Sequence, residues 1–138
     1  MSDPLDHVMA MWRSDDASAA LGIELLDIGV DDGLGYARTR MTVTARQVNG
    51  HNIAHGGFIF ALADSTFAVA CNASGRPTVA SGAEIDFITP GNLGDVLVAD
   101  ARERTTYGRS GITDVTVRRE SDAEIVAEFR GRSRSLRS

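Results

Sequence analysis

The 138-residue sequence contains no lysine; all fourteen of its basic residues are arginine. That bias reads as genome composition, because it touches every basic position alike. Cys71 is the single cysteine, which rules out an intrachain disulfide. The start, Met1 to His7, has neither a basic cluster nor an apolar run, so no secretory leader is expected. The longest apolar stretch, Phe58 to Cys71, is too short to span a bilayer and carries Asp64 near its middle. The Gly-x-Ser-x-Gly elbow, the phosphate-binding Gly-x-x-x-x-Gly-Lys loop and the dinucleotide fingerprint are all missing, which weighs against a serine hydrolase, an NTPase and an NAD enzyme. A net charge of −5 does not suit a nucleic-acid partner. What remains is a cytoplasmic, soluble protein with neither nucleic acid nor membrane as partner. No internal repeat or low-complexity linker divides it, so residues 1–138 read as a single domain.

What is present is strongly patterned. Leu5, Val8, Met9 and Trp12 recur at helical spacing behind Pro4, predicting one amphipathic helix from Pro4 to Ala20. Two strands, Ile23 to Gly29 and Leu34 to Val43, flank an Asp31-Asp32-Gly33 turn. The stretch His55 to Asn72 is long, Ala-rich and apolar on all sides, the mark of a helix buried over most of its surface. Four further strands follow, Thr78 to Ile88, Asp95 to Tyr107, Ile112 to Glu120 and Ala123 to Ser133. Short turns between them suggest an antiparallel meander. The fold class is α+β: an antiparallel sheet wrapped around one long central helix. A monomer of that form would leave one sheet face uncovered, so a homo-oligomer is expected.

Between Gln47 and Gly75 the formally charged residue is Asp64, set inside the central helix. A carboxylate in such a place costs several kcal/mol unless it is paired or hydrogen-bonded. Two readings are open: a base or nucleophile whose pKa is raised by desolvation, or a structural Asp bonded to a donor on the sheet. His55-Gly56-Gly57 opens the same helix. Unsatisfied N–H groups and the helix dipole there could hold a carbonyl oxygen that becomes negative during reaction. Alternatively, the glycines serve a tight turn. Asp64 lies about two turns beyond Gly57, some 10–12 Å by helix rise. The two cannot easily act on one carbonyl within a chain, but a two-fold axis could bring one subunit's Asp64 to the other's Gly57. His51 and His55 have the i,i+4 spacing of a metal pair, yet no third ligand cluster accompanies them, so no metal is expected. Cys71 reads as a small buried hydrophobe.

The run Asn49-Gly50-His51, then His55-Gly56-Gly57, then Leu62-Ala63-Asp64 resembles the signature of the hotdog-fold acyl-CoA thioesterases. Within them it is most similar to the phenylacetate-pathway branch, which hydrolyses phenylacetyl-CoA and its ring-hydroxylated relatives. The likeness extends through Met41-Thr42-Val43-Thr44-Ala45, Phe67-Ala68-Val69-Ala70-Cys71-Asn72, Ile85-Asp86-Phe87 and Phe129-Arg130-Gly131. The resemblance implies a hotdog fold with Asp64 as catalytic carboxylate and the Gly57 N–H, with Gly56 beside it, as oxyanion donor. It further implies that Asn49 holds the attacking water or the carbonyl and that His55 flanks the glycines. It implies active sites at a dimer interface, in many members within a dimer of dimers. No cofactor is implied, since the CoA thioester is itself the substrate.

That chemistry is sound on its own terms. A thiol leaves with a pKa near 8.5, so its protonation is undemanding, and one carboxylate plus oxyanion donors can suffice. For the CoA phosphates, the turn Gly108-Arg109-Ser110-Gly111 is a suitable anion-binding loop, with Arg76 and the arginines of the tail, Arg130, Arg132, Arg134 and Arg137, as weaker candidates. Each is equally readable as an ordinary exposed residue. Phe58, Phe60 or Phe67 could line an apolar acyl pocket. Two rival functions fit the same residues: a hotdog enoyl-CoA hydratase or dehydratase using His55 and Asp64, and a non-catalytic acyl-CoA-binding protein.

Overall fold

The computed structural model describes residues 3–136, so Arg137 of the tail lies outside the described residues. Nine elements follow one another: α1 (Pro4–Arg13), α2 (Asp16–Ala20), β1 (Glu24–Asp31), β2 (Leu34–Thr42), α3 (Gly56–Asn72), β3 (Thr78–Phe87), β4 (Val96–Tyr107), β5 (Ser110–Arg119) and β6 (Ile125–Ser135). The six strands form one antiparallel sheet in the order β1-β2-β4-β5-β6-β3, packed on α3. This is the α+β arrangement expected, with two corrections.

The first concerns the N-terminus, where one helix was expected and two short ones stand. Asp15 breaks the run because its side chain caps α2, accepting from the Ser18 N–H, while Ser14 ends α1. A short polar side chain that competes for backbone donors is better used at a helix start than inside one. The second concerns the meander. β4, β5 and β6 do run as consecutive hairpins, but β3 pairs with β6 and β2 takes the place beside β4. β3 is therefore an edge strand whose outer side has no partner among the described residues.

Alternation along each strand explains how the sheet receives the helix. Ala37, Thr39 and Met41 of β2, Leu97, Ala99 and Ala101 of β4, Val115 and Val117 of β5, and Ala127 and Phe129 of β6 are buried. Small residues set the close approach: a Cβ on Gly35 would strike the Ala70 carbonyl, and one on Gly131 would lie 2.7 Å from the Phe67 ring. The outer face is not the apolar surface that an uncovered sheet would present. It carries cross-strand ion pairs, Arg38–Asp100 and Arg130–Asp114 at 2.6 Å and Arg132–Glu84 at 3.0 Å. Such exposed pairs add little to stability, but they keep that face wet. Exposed apolar side chains instead include Val79, Phe87 and Ile88, on and just beyond the edge strand β3.

α1 lies against the C-terminal end of α3. The Asn72 side chain donates to the Thr78 carbonyl at 3.0 Å and accepts from the Thr78 N–H at 2.9 Å, which fixes its amide. Its Oδ1 also meets His7 Nε2 at 2.9 Å, so that ring nitrogen is the donor. Among the described residues, no helix is long and apolar enough to cross a membrane.

Candidate active site

α3 is buried along most of its circumference, but a narrow stripe stays accessible: Gly57, Phe60 and Ala61, Asp64 and Ser65, then Ala68. These positions recur every three or four residues and so share one face. Gly57 and Asp64, seven residues apart, are nearly superposed on it and about 10 Å apart by helix rise. Within one chain they do not converge, as the spacing predicted.

Asp64 is half-buried, and among the described residues no donor hydrogen-bonds its carboxylate. A structural Asp tied to the sheet is therefore not what the fold contains. Its pKa is raised, first by burial and then by the negative charge of Asp15. A carboxylate held in that state is a better proton acceptor than an exposed one.

At the helix start, His55 is the N-cap but its side chain makes no capping bond. Among the described residues nothing accepts from the N–H groups of Gly56 or Gly57. The two glycines are glycines for different reasons. A Cβ on Gly56 would come within 2.8 Å of the Phe87 ring, so packing demands the absence of a side chain. A Cβ on Gly57 would meet no atom within 4 Å, so this glycine borders open space. Neither glycine has the positive φ of a tight turn.

Loop residues 43–55 hold this helix end in place. The Gln47 carbonyl accepts from the His55 N–H at 2.8 Å, and the buried Gln47 side chain accepts from the Thr44 N–H at 3.1 Å. It is the His55 backbone that ties the loop, while its imidazole stays exposed. Asn49 Oδ1 accepts from the His51 N–H at 2.9 Å and the Ile53 N–H at 3.3 Å, so that oxygen serves the loop. Only its amide nitrogen is left to donate to a substrate or water. Among the described residues, no group of three or more His, Cys, Asp or Glu is placed to hold a metal, His51 and His55 included.

An apolar cavity of about 430 Å³ opens beside the glycines, lined by Ile53, Gly56, Ile59, Phe87, Ile88 and Pro90. Of the phenylalanines expected to line a pocket, Phe67 is instead a core residue, 1% exposed, packed on Phe129 and over Gly131. Phe60 meets Phe129 edge-on at 5.3 Å. The cavity's aromatic residue is Phe87, at the end of β3. The adjacent apolar pair Phe87-Ile88, which breaks the strand's alternation, was its signal in the sequence.

Gly108, Arg109 and Ser110 stand elsewhere. They form the β4–β5 hairpin, where Gly108 has φ 61. Arg109 donates from Nε and Nη2 to the Ser135 carbonyl at 3.1 and 2.9 Å. Arg109 and Ser110, with Arg76 and Cys71, border a small cleft at the C-terminal end of α3. A seventeen-residue helix is about 25 Å long, so one chain does not bring this turn to the glycines. Burial pushes the Cys71 thiol up to about 12, keeping it protonated and unreactive.

Comparison with known proteins agrees with this arrangement. A family model described as the thioesterase superfamily matches residues 51–126, the stretch that includes α3 and strands β3, β4 and β5. The acyl-coenzyme A thioesterase PaaI of Escherichia coli is 42% identical over 127 residues, covering 92% of this chain and 87% of that protein. The solved structure of the E. coli PaaI protein from the phenylacetic acid degradation operon superposes with a TM-score of 0.88 at 40% identity, over 97% of this chain and 94% of that one. A mutant of the phenylacetic acid degradation protein PaaI from Thermus thermophilus gives a TM-score of 0.81 at 34% identity, over 88% of this chain and 100% of that one.

Proposed function

We propose, from the premise that this chain belongs to the thioesterase superfamily and is a hotdog-fold thioester hydrolase, that it hydrolyses phenylacetyl-CoA or ring-hydroxylated phenylacetyl-CoA to the free acid and CoA. The observation that carries this reading is the pairing of an unbonded, half-buried Asp64 with the Gly57 N–H, which has no acceptor among the described residues, on one face of α3. The apolar cavity against Gly56, with Phe87 in its wall, is a suitable receptacle for an aryl group. The names of the E. coli and T. thermophilus relatives point to the same substrate class.

The working unit is a homodimer, assembled further as a dimer of dimers. An unpaired β3 edge with exposed Val79 and Phe87 supports edge-to-edge joining of two sheets. The small residues Gly57, Ala61 and Ala68 on the open stripe of α3 suit a second α3 running antiparallel. In that arrangement Asp64 of one subunit faces Gly57 of the other. The same two-fold axis carries the hairpin Gly108, Arg109 and Ser110 of one subunit toward the glycine end of the other, where CoA phosphates would meet Arg109 or Arg76.

Asp64, ionised, takes a proton from a water whose oxygen attacks the thioester carbonyl carbon. The carbonyl π electrons move to oxygen, and the Gly57 N–H, with Gly56 beside it, stabilises that oxyanion. Asn49 Nδ2 and His55 hold the water and the carbonyl. As the oxyanion collapses the C–S bond breaks, and the thiolate takes the proton that Asp64 acquired. The reaction needs no metal or cofactor. CoA thioesters are intracellular metabolites, so the reading carries a cytoplasmic location with it.

The test is thiol release from a panel of arylacetyl, benzoyl and aliphatic CoA esters. Preference for phenylacetyl-CoA or hydroxyphenylacetyl-CoA supports the assignment. Binding of all without thiol release would point to a binding protein or, with enoyl-CoA turnover, to a hydratase.

A further inference from the structure

The N-terminal helices do more than cover the end of the sheet. Ser18, 3% exposed, donates its hydroxyl proton to Asp15 Oδ2 at 2.5 Å, and its N–H to Asp15 Oδ1 at 2.9 Å. Its oxygen also lies 2.7 Å from Ser65 Oγ. A hydroxyl has one proton to give. With Ser18's proton committed to the carboxylate, Ser65 must be the donor in the second bond. The chain therefore runs in one direction, from Ser65 on α3, through Ser18 on α2, to the charge of Asp15. It grips α3 at the residue next to Asp64.

We propose that Asp15, acting through Ser18 and Ser65, is a positioning residue for Asp64: it fixes the turn of α3 that carries the catalytic carboxylate and sets a second carboxylate before it. The proposal rests on the reading of Asp64 as the base. Two physical effects follow. Anchoring holds Asp64 on the open stripe, where it can reach a thioester bound to the other subunit. Charge repulsion from Asp15 adds to burial in raising Asp64's affinity for a proton.

Asp15 has little competition in this role. The strand positions that face α3 are uncharged apart from Glu103 of β4, which accepts from the Gly35 N–H and acts on Cys71 near the far end of the helix. His7 of α1 is bonded to Asn72 at that same far end. On α3 itself, Cys71 feels the Asp64 charge but stays neutral.

The experiment uses Asp15→Asn, because Asn caps a helix about as well as Asp and retains the bond from the Ser18 N–H. Two titrations are run on the full-length protein, wild type and variant. The first follows the Asp64 carboxyl carbon by NMR, assigned with Asp64→Asn. The second is the pH dependence of kcat/KM. Asp15→Asn is expected to move both the Asp64 titration and the acid limb to lower pH and to lower the plateau a few-fold. Asp16→Asn, an exposed neighbour of the same charge, leaves both in place. Ser65→Ala keeps the Asp15 charge but cuts the anchor, so kcat falls while KM holds. An Asp64 titration unmoved by Asp15→Asn overturns the proposal. Movement of the NMR titration without movement of the rate profile upholds the coupling and removes Asp64 from the role of base.

Discussion

Replacing Asp64 by Asn should make the protein more stable and inactive at once. The carboxylate is half-buried, receives no hydrogen bond from the described residues and feels the charge of Asp15. A polar group buried without a partner costs about 1–3 kcal/mol, more if charged. Solvent still reaches this side chain, so about 1 kcal/mol is expected after screening. For a domain of this size that corresponds to a rise in Tm of about 3–5 °C. The pH dependence has a definite sign. The folded-state pKa of Asp64 lies above its unfolded value, so its favourable contribution is complete below the unfolded pKa and is lost as pH rises through the folded one. The Asn variant's advantage is therefore fully present above the folded-state pKa and closes as the pH falls below the unfolded value, where both side chains are neutral. Calorimetry across that range, at one protein concentration because assembly contributes to Tm, reads the effect. Turnover of an arylacetyl-CoA should fall about 10²–10⁴-fold. An Asn variant that melts below wild type at pH 7.5, or an advantage independent of pH, would show that Asp64 is a bonded structural residue.

Gly57→Pro removes the open N–H and should cost about 10²–10³-fold in kcat. Gly57→Ala retains that N–H and meets no atom of its own chain within 4 Å, so it should keep more turnover than Gly57→Pro; equal kcat losses in both variants would sink the oxyanion assignment. Gly56→Ala drives a methyl against the Phe87 ring and should raise KM for aryl substrates more than for acetyl-CoA, measured by thiol release. Prolonged treatment with EDTA should leave turnover unchanged; a loss restored by zinc would return His51 and His55 to consideration as ligands.

Much of the fold is written in local periodicity. The run from Gln47 to Gly75, without formal charge apart from Asp64, marks α3 and isolates that carboxylate in it, because burying a charge without a partner is costly. Alternation in β2, β4, β5 and β6 marks which side chains meet that helix. The glycine pair at its start, and the two-turn separation from Asp64, are legible in the same run, and they are what the proposed second subunit would bring together.

Periodicity tells which face of an element is buried, not what it is buried against, and the remaining features are of that kind. Nothing in Thr78 to Phe87 says that this strand pairs with β6 rather than β4, since the choice depends on how a chain leaving α3 reaches the sheet edge. Phe67 and Phe87 are equally aromatic in sequence, but one is pressed on Gly131 in the core and the other walls the cavity beside Gly56. Arg109 looks like a free cation in its turn until the end of β6 supplies the carbonyl that holds it. Asp15 stands 49 positions before Asp64 in the chain. Only the docking of α2 on α3 brings its charge to bear, because electrostatic coupling follows distance through space rather than along the sequence.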